Sequence, residues 1–195
     1  MKKIEYIDET HTYLNSKGII IPSVSALVAF KFKDQYKDIP ESVLKKKAKY
    51  GSKVHEYIER FVKKEFTLEE LQKKRIDPDV KLAVEEFERC RKMWCFFIKD
   101  VERMVDWNER YAGRLDLLTE DNYVIDIKTT QELHTDWLRY QLSLYAMALG
   151  IKQDFHYAMW LAKGKMGKVI TIPTVPEEEL RSLVKEYEQA NSTGR

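Results

Sequence analysis

The 195-residue sequence predicts an α/β domain preceded by an N-terminal helical arm, and three observations carry that expectation. Apolar residues recur at helical spacing over roughly 41–64, 78–96 and 135–149. Between the last two of these segments the period changes to that of strands, over 98–107, 111–119 and 122–128. Polar turn clusters separate the segments, and the order behind the arm reads α-β-β-β-α-β-β-α.

Each element has a local reason. Residues 4–21 read as short strands, with Asn15-Ser16-Lys17-Gly18 as the turn between Thr12-Tyr13-Leu14 and Ile19-Ile20-Ile21. Pro22-Ser23 opens a short apolar helix through about Phe30. Pro40 precedes the long helical pattern, whose apolar positions include Val43, Leu44, Val54, Tyr57, Ile58 and Phe61. Thr67-Leu68-Glu69-Glu70 fits a capping box, and Asp77-Pro78 is a second helix start. Thr135 to Leu149 ends at Gly150, a residue suited to a left-handed helix cap. Residues 154–162 and 168–174 form a hairpin around Gly164-Lys165-Met166-Gly167. Pro176 starts a final helix with Glu177, Glu178 and Glu179 at the positive end of its dipole. The expected divisions are an arm over 1–76, a core over 77–191 and a frayed tail over 192–195, in one compact unit.

Composition excludes several classes. A hydrophobic content of 44% with 12% aromatic residues argues against disorder. The balance of 34 Lys plus Arg against 32 Asp plus Glu excludes a histone-like basic protein. No run approaches the ~18 apolar residues of a membrane span, and Met1-Lys2-Lys3-Ile4-Glu5 lacks the apolar stretch of a signal peptide. Cys90 and Cys95 are too few for a disulfide framework, so a cytoplasmic location is the default expectation.

The chemistry concentrates between Tyr111 and Thr130. If Glu120-Asp121-Asn122 is a turn centred on Asp121, residue 116 lies opposite 126 and Arg114 opposite Lys128. Arg114, Asp116, Asp126 and Lys128 then share one face, and Leu115, Leu117, Ile125 and Ile127 the other. The apolar face is core. On the charged face, two facing carboxylates repel, and either the flanking cations or a hard divalent ion must offset them. A solvated hairpin with cross-strand ion pairs accounts equally well for this quartet taken alone.

Further marks extend the pattern. Ala112-Gly113-Arg114-Leu115-Asp116 and Ile125-Asp126-Ile127-Lys128-Thr129-Thr130 resemble the D-(x)n-(D/E)-x-K signature of the PD-(D/E)XK nuclease superfamily, in the form of its RecB-like branch. Gly51-Ser52-Lys53-Val54-His55 matches the G-x-x-x-H helix of that branch, and Gln141-Leu142-Ser143-Leu144-Tyr145 matches its Q-x-x-x-Y. The four marks occur in the family's order over about residues 50–162. The proline of the signature is replaced by Leu115, a departure common in the branch.

The resemblance implies a restriction-endonuclease-like core, αβββαβ, with a mixed central sheet flanked by helices. It implies a Mg²⁺- or Mn²⁺-dependent phosphodiesterase acting on DNA. Asp116, Asp126, the Ile127 carbonyl and His55 are the implied metal ligands, and Lys128 the group that orients water or stabilises the transition state. Glu102, preferred over Glu109 as the family's additional acid, completes the implied catalytic set with Asp116, Asp126 and Lys128. Gln141, Tyr145, Arg114, Lys49 and Lys53 are expected at the DNA. The spacing of Asp126 and Lys128 puts both on one strand face, about 7 Å apart.

Other features carry plainer alternatives. A lone His on an amphipathic helix is ordinarily surface or core, and Gln141 and Tyr145 also fit a buried hydrogen-bonded pair. The acid-free run Lys45, Lys46, Lys47, Lys49 and Lys53 reads as a solvated face or as a phosphate grip. Trp107, Tyr111 and Trp137 could stack on unpaired bases or pack in the core. Two cysteines predict no iron–sulfur cluster. The leading expectation is a stand-alone exonuclease of recombination, repair or replication, similar to short phage-encoded versions. A structure-selective or site-specific endonuclease and a non-catalytic DNA-binding module are the alternatives. No G-x-x-x-x-G-K-[ST] loop is present, so unwinding would fall to a helicase, with a recombinase or single-strand-binding protein as further partners.

Overall fold

The computed structural model describes residues 4–33 and 41–192, with residues 9, 41–48 and 192 described by backbone alone. Three short strands come first, β1 (Glu5–Ile7), β2 (Thr12–Leu14) and β3 (Ile20–Ile21), in one antiparallel sheet. Asn15 makes the turn between β2 and β3, its Oδ1 accepting the backbone N–H groups of Lys17 and Ile19. Ser23 then caps α1 (Val24–Lys31) by accepting from the Ala26 N–H. The long helix α2 spans Glu41–Val62, and α3 (Leu68–Lys73) starts with the expected capping box of Thr67 and Glu70. Asp77 and Pro78 open α4 (Pro78–Met93).

A five-stranded mixed sheet follows. Its strands β4 (Ile98–Trp107), β5 (Tyr111–Thr119), β6 (Val124–Lys128), β7 (Phe155–Trp160) and β8 (Lys168–Pro173) lie in chain order across the sheet. Only β6 and β7 are parallel, and α5 (Thr135–Leu149) makes the crossover that a parallel pair requires. Gly150 ends α5 in the left-handed conformation, with a φ of 67°. The chain closes with α6 (Glu177–Ser192). The result is the mixed α/β class expected, and the hairpin register is as predicted, with Leu117 facing Ile125 and Leu118 facing Val124. The expected tail lies outside the described residues beyond Ser192.

Each face of the sheet carries its own core. One holds Val105, Trp107, Tyr111, Leu118, Val124 and Ala158 against α1, α5 and α6. The other holds Leu117, Ile125, Ile127, Tyr157 and Met159 against α2, α3 and α4. Strand alternation delivers Val124 to the first and Ile125 to the second, as a sheet covered on both sides requires. Alternation fails within β5, contrary to expectation: Leu115 joins the first core and Leu117 the second, although they are two residues apart. In β4, Val101 packs against the second core and Val105 belongs to the first. The change falls between the pairs Val101–Leu117 and Arg103–Leu115, where Glu102 has a φ of 50°. A non-glycine residue in the left-handed region rotates the strand at that point.

His156 on β7 is fully buried, accepts the Val124 N–H at Nδ1, and among the described residues has no hydrogen-bond partner for Nε2. Burial drives its pKa down from 6.5 to about 4, so the folded chain keeps it neutral while the unfolded chain protonates it below 6.5. Its contribution is intact above pH 6.5 and is lost as pH falls toward 4, up to about 3 kcal/mol. Urea titrations of wild type and His156→Gln at pH 7, 5.5 and 4 should show the difference between the two proteins changing by that order in favour of the variant. A pH-independent difference would refute the account.

Candidate active site

Four segments meet in a cleft of about 670 Å³. The α2 helix supplies Gly51 and His55, β4 supplies Glu102, β5 supplies Gly113, Arg114 and Asp116, and β6 supplies Asp126 and Lys128. Gln141 and Tyr145 of α5 form the remaining wall, one above the other at helical spacing. The fold thus brings together most of the residues singled out in the sequence, across more than ninety positions of chain.

The backbone features that allow this are specific. The left-handed turn of Glu102 lies across from Asp116, and the loss of alternation there turns both carboxylates into the cleft. Gly113 is bare because a Cβ would lie 2.7 Å from the Tyr145 ring and 2.9 Å from Val24. Gly51 brings α2 against the end of β6, where a Cβ would lie 3.1 Å from Thr129 Oγ1.

The charged groups form two linked sets. His55 Nδ1 is 3.4 Å from Asp116 Oδ1 and 3.9 Å from Glu102 Oε1. Its Nε2 is 3.1 Å from the Ile127 carbonyl. Acceptors on both sides of the ring fit an imidazolium that donates from both nitrogens. Burial disfavours that charge, but Asp116 and Glu102 outweigh it and push the His55 pKa up to about 10. Asp116 is likewise opposed by burial, yet His55, Lys128 and the Ile127 N–H, 2.6 Å from Asp116 Oδ2, hold its pKa below the usual carboxylate value.

Asp126 behaves in the opposite way. It is 3% exposed, and burial together with Asp116 raises its pKa although Lys128 pulls it down. Its Oδ2 lies 2.7 Å from Lys128 Nζ in an ionic contact without hydrogen-bond geometry. Gln141 Oε1 accepts from Lys128 Nζ at 3.3 Å, so the lysine is held between α5 and its own strand. Arg114 stacks over Tyr6 and lies 2.9 Å from Glu102 Oε2.

The His55, Glu102 and Asp116 ligand atoms all lie within 4.8 Å of one another, the spacing of a metal-binding group. This group contains His55 and Asp116 of the expected ligands and adds Glu102, while Asp126, 2.7 Å from Lys128, stands beside it in the same cleft. Of the expected DNA contacts, Arg114, Gln141 and Tyr145 line the cleft, whereas Lys49 does not, and exposed Lys53 lines a separate groove with Tyr57 and Arg75. The side chains of Lys45, Lys46 and Lys47 fall outside the described residues. Trp107 and Tyr111 are core residues. Glu109, the less favoured acid, accepts from the Ser16 N–H and hydroxyl and ties the N-terminal sheet to the β4–β5 turn.

Sequence reasoning missed the cleft's outer wall. Tyr6, His11 and Tyr13 of the N-terminal sheet line it, with the Tyr6 hydroxyl 2.6 Å from His11 Nδ1. No local motif marks these residues. They reach the cleft because Pro22 accepts the Ala112 N–H and Ser23 bridges to Ala112.

No family model and no curated protein matches this sequence. Among solved structures, a chain described as "Crystal structure of SSO0001" is similar over 82% of each chain, with 14% identity and a TM-score of 0.37. A likeness this loose carries no argument about the site.

The cramped seat of Gly113 is directly testable. Gly113→Ala should cost about 1–3 kcal/mol in urea denaturation, since the added Cβ would force the Tyr145 ring and Val24 to shift. Wild-type stability in that variant would mean the close approach is relaxed in solution.

Proposed function

We propose that this chain is a metal-dependent phosphodiesterase acting on DNA, a RecB-like member of the PD-(D/E)XK nucleases with their restriction-endonuclease-like core. The observation that carries the reading is the meeting of His55, Glu102 and Asp116 within 4.8 Å, beside the Asp126–Lys128 pair, in one cleft. A hairpin stabilised by cross-strand ion pairs alone gives no reason for a helix 60 residues upstream to deliver an imidazole to the same acids.

The donor set fits a divalent cation. Carboxylate oxygens with one imidazole suit Mg²⁺ or, with the nitrogen, Mn²⁺. The buried Asp126 Oδ2, without a hydrogen bond, is a further donor facing the same cleft. Glu102, Asp116 and Asp126 would hold the ion together with His55, which would bind through Nδ1 after giving up the proton there while Nε2–H stays on the Ile127 carbonyl. When bound, the ion would polarise a phosphate oxygen and acidify a water.

The chain's own groups do the rest. Lys128 stays protonated, since Asp126 and Asp116 outweigh the burial that opposes its charge. Gln141 aims that ammonium into the cleft, where it stabilises negative charge on the phosphate. Arg114, held by Glu102 and Tyr6, offers a second cation for the DNA backbone. A bound cation would add to the positive charge that a phosphate meets in the cleft, so binding and hydrolysis should both depend on metal. By its resemblance to phage-type members the activity is assigned to an exonuclease of recombination, repair or replication.

End-labelled single- and double-stranded DNA, linear and circular, incubated with Mn²⁺ or Mg²⁺, separates exonuclease, endonuclease and binder in one gel. Asp126→Asn should lower cleavage on the order of 10³-fold. Mn²⁺ should raise the wild-type melting temperature and leave that of the variant unchanged; full cleavage by the variant would sink the assignment. His55→Ala should weaken Mn²⁺ binding at least about tenfold by calorimetry, and an unaltered isotherm would remove His55 from the ligand set.

A further inference from the structure

Lys128 lines two cavities. The second, of about 390 Å³, contains none of the site's acids. Its walls come from the end of α1, the segment after β6 and the first turns of α5. Phe32 and Trp137 form the aromatic wall, with ring planes 28° apart and centroids at 6.1 Å. Leu133 and Leu138 supply aliphatic surface, while exposed Lys33 and His134 lie at the rim.

The chemistry of this cavity narrows its occupant. An apolar, aromatic wall does not suit a phosphate, which needs donors or charge. It suits a flat heterocycle, because every nucleobase has a face that stacks on an aromatic ring. Lys33 at the rim and the shared Lys128 would hold a phosphate beside that ring, as the parts of a nucleotide are arranged. A base still paired and stacked in a duplex offers neither face, so only an unpaired base can enter.

We propose that the Phe32–Trp137 cavity receives one unpaired base of the DNA strand whose phosphate lies at Lys128, which makes single-stranded or frayed DNA the preferred substrate class. The assignment rests on the nuclease reading of the neighbouring cleft. Trp137 here acts on substrate choice, and the acids and Lys128 on the chemistry.

The test is a cycle between protein and DNA. A fluorescein-labelled twelve-nucleotide oligothymidylate is prepared with a single abasic residue moved stepwise along it. Affinities are measured by anisotropy with Ca²⁺, which binds oxygen ligands as Mg²⁺ does. Removing the base at one position should weaken wild-type binding about tenfold. Trp137→Ala should bind the intact strand about tenfold more weakly, and removal of that same base should then cost nothing more. Trp137→Phe, which keeps a ring, should stay within about threefold of wild type and retain the sensitivity. The proposal is overturned if no position is sensitive, or if the full penalty persists in Trp137→Ala. It is likewise overturned by a cavity filled with a protein side chain, which leaves the oligonucleotide affinities unchanged. Metal-dependent cleavage by the wild type is scored separately: its absence would remove the nuclease reading and leave the base-binding result standing.

Discussion

Glu102, Asp116 and Asp126 bring three carboxylates into one cleft, where burial raises the cost of each charge and each acid raises the cost of the others. The neighbouring groups answer that problem one by one. Arg114 lies against Glu102, protonated His55 lies beside Glu102 and Asp116, and Lys128 lies against Asp126. The Ile127 N–H adds a donor to Asp116. A purely structural hairpin avoids such a burden by spacing its acids apart. Here the strand geometry concentrates them in one cleft.

That concentration has a backbone origin. Two strands in ideal alternation would keep Leu115 and Leu117 on the same face. The left-handed Glu102 breaks the pattern in β4 at the point opposite Asp116 in β5, and each strand crosses from one core to the other there. The two cores consequently fix the acids as firmly as they fix their own apolar side chains. Placing Glu102 in a conformation that costs free energy is tolerated because well-packed layers on both faces hold it.

The N-terminal residues serve the same cleft from outside. The small sheet is anchored to β5 through Pro22, Ser23 and Ala112, and to the β4–β5 turn through Ser16 and Glu109. Tyr6 supports Arg114, so a residue near the start of the chain helps orient a cation in its middle. The near balance of 34 basic and 32 acidic residues takes on a different sense in this setting. It sums regions with different roles, and Glu102, Asp116 and Asp126 are matched locally by His55, Arg114 and Lys128.

Sequence periodicity was enough for the elements of the core, because each signal is local. The limits of β4 and β5, the span of α5 with Gly150 at its end, the capping box at Thr67 and the hairpin register about Asp121 are all set by neighbouring residues. The same holds for Asp126 and Lys128 on one face of β6, whereas Asp116 reaches their cleft through the rotation opposite Glu102. The crossing of Leu115 and Leu117 to opposite cores was not legible, because it depends on a backbone rotation at Glu102, a residue with no intrinsic preference for the left-handed region. Nor was the approach of Glu102 to His55, which follows from the same rotation. The aromatic wall from Tyr6 to Tyr13 and the cavity between Phe32 and Trp137 join segments that carry no reference to one another in sequence. Local residue order determined the strands, helices and charged pattern of this protein; packing of two cores against a kinked sheet decided which of those charges meet.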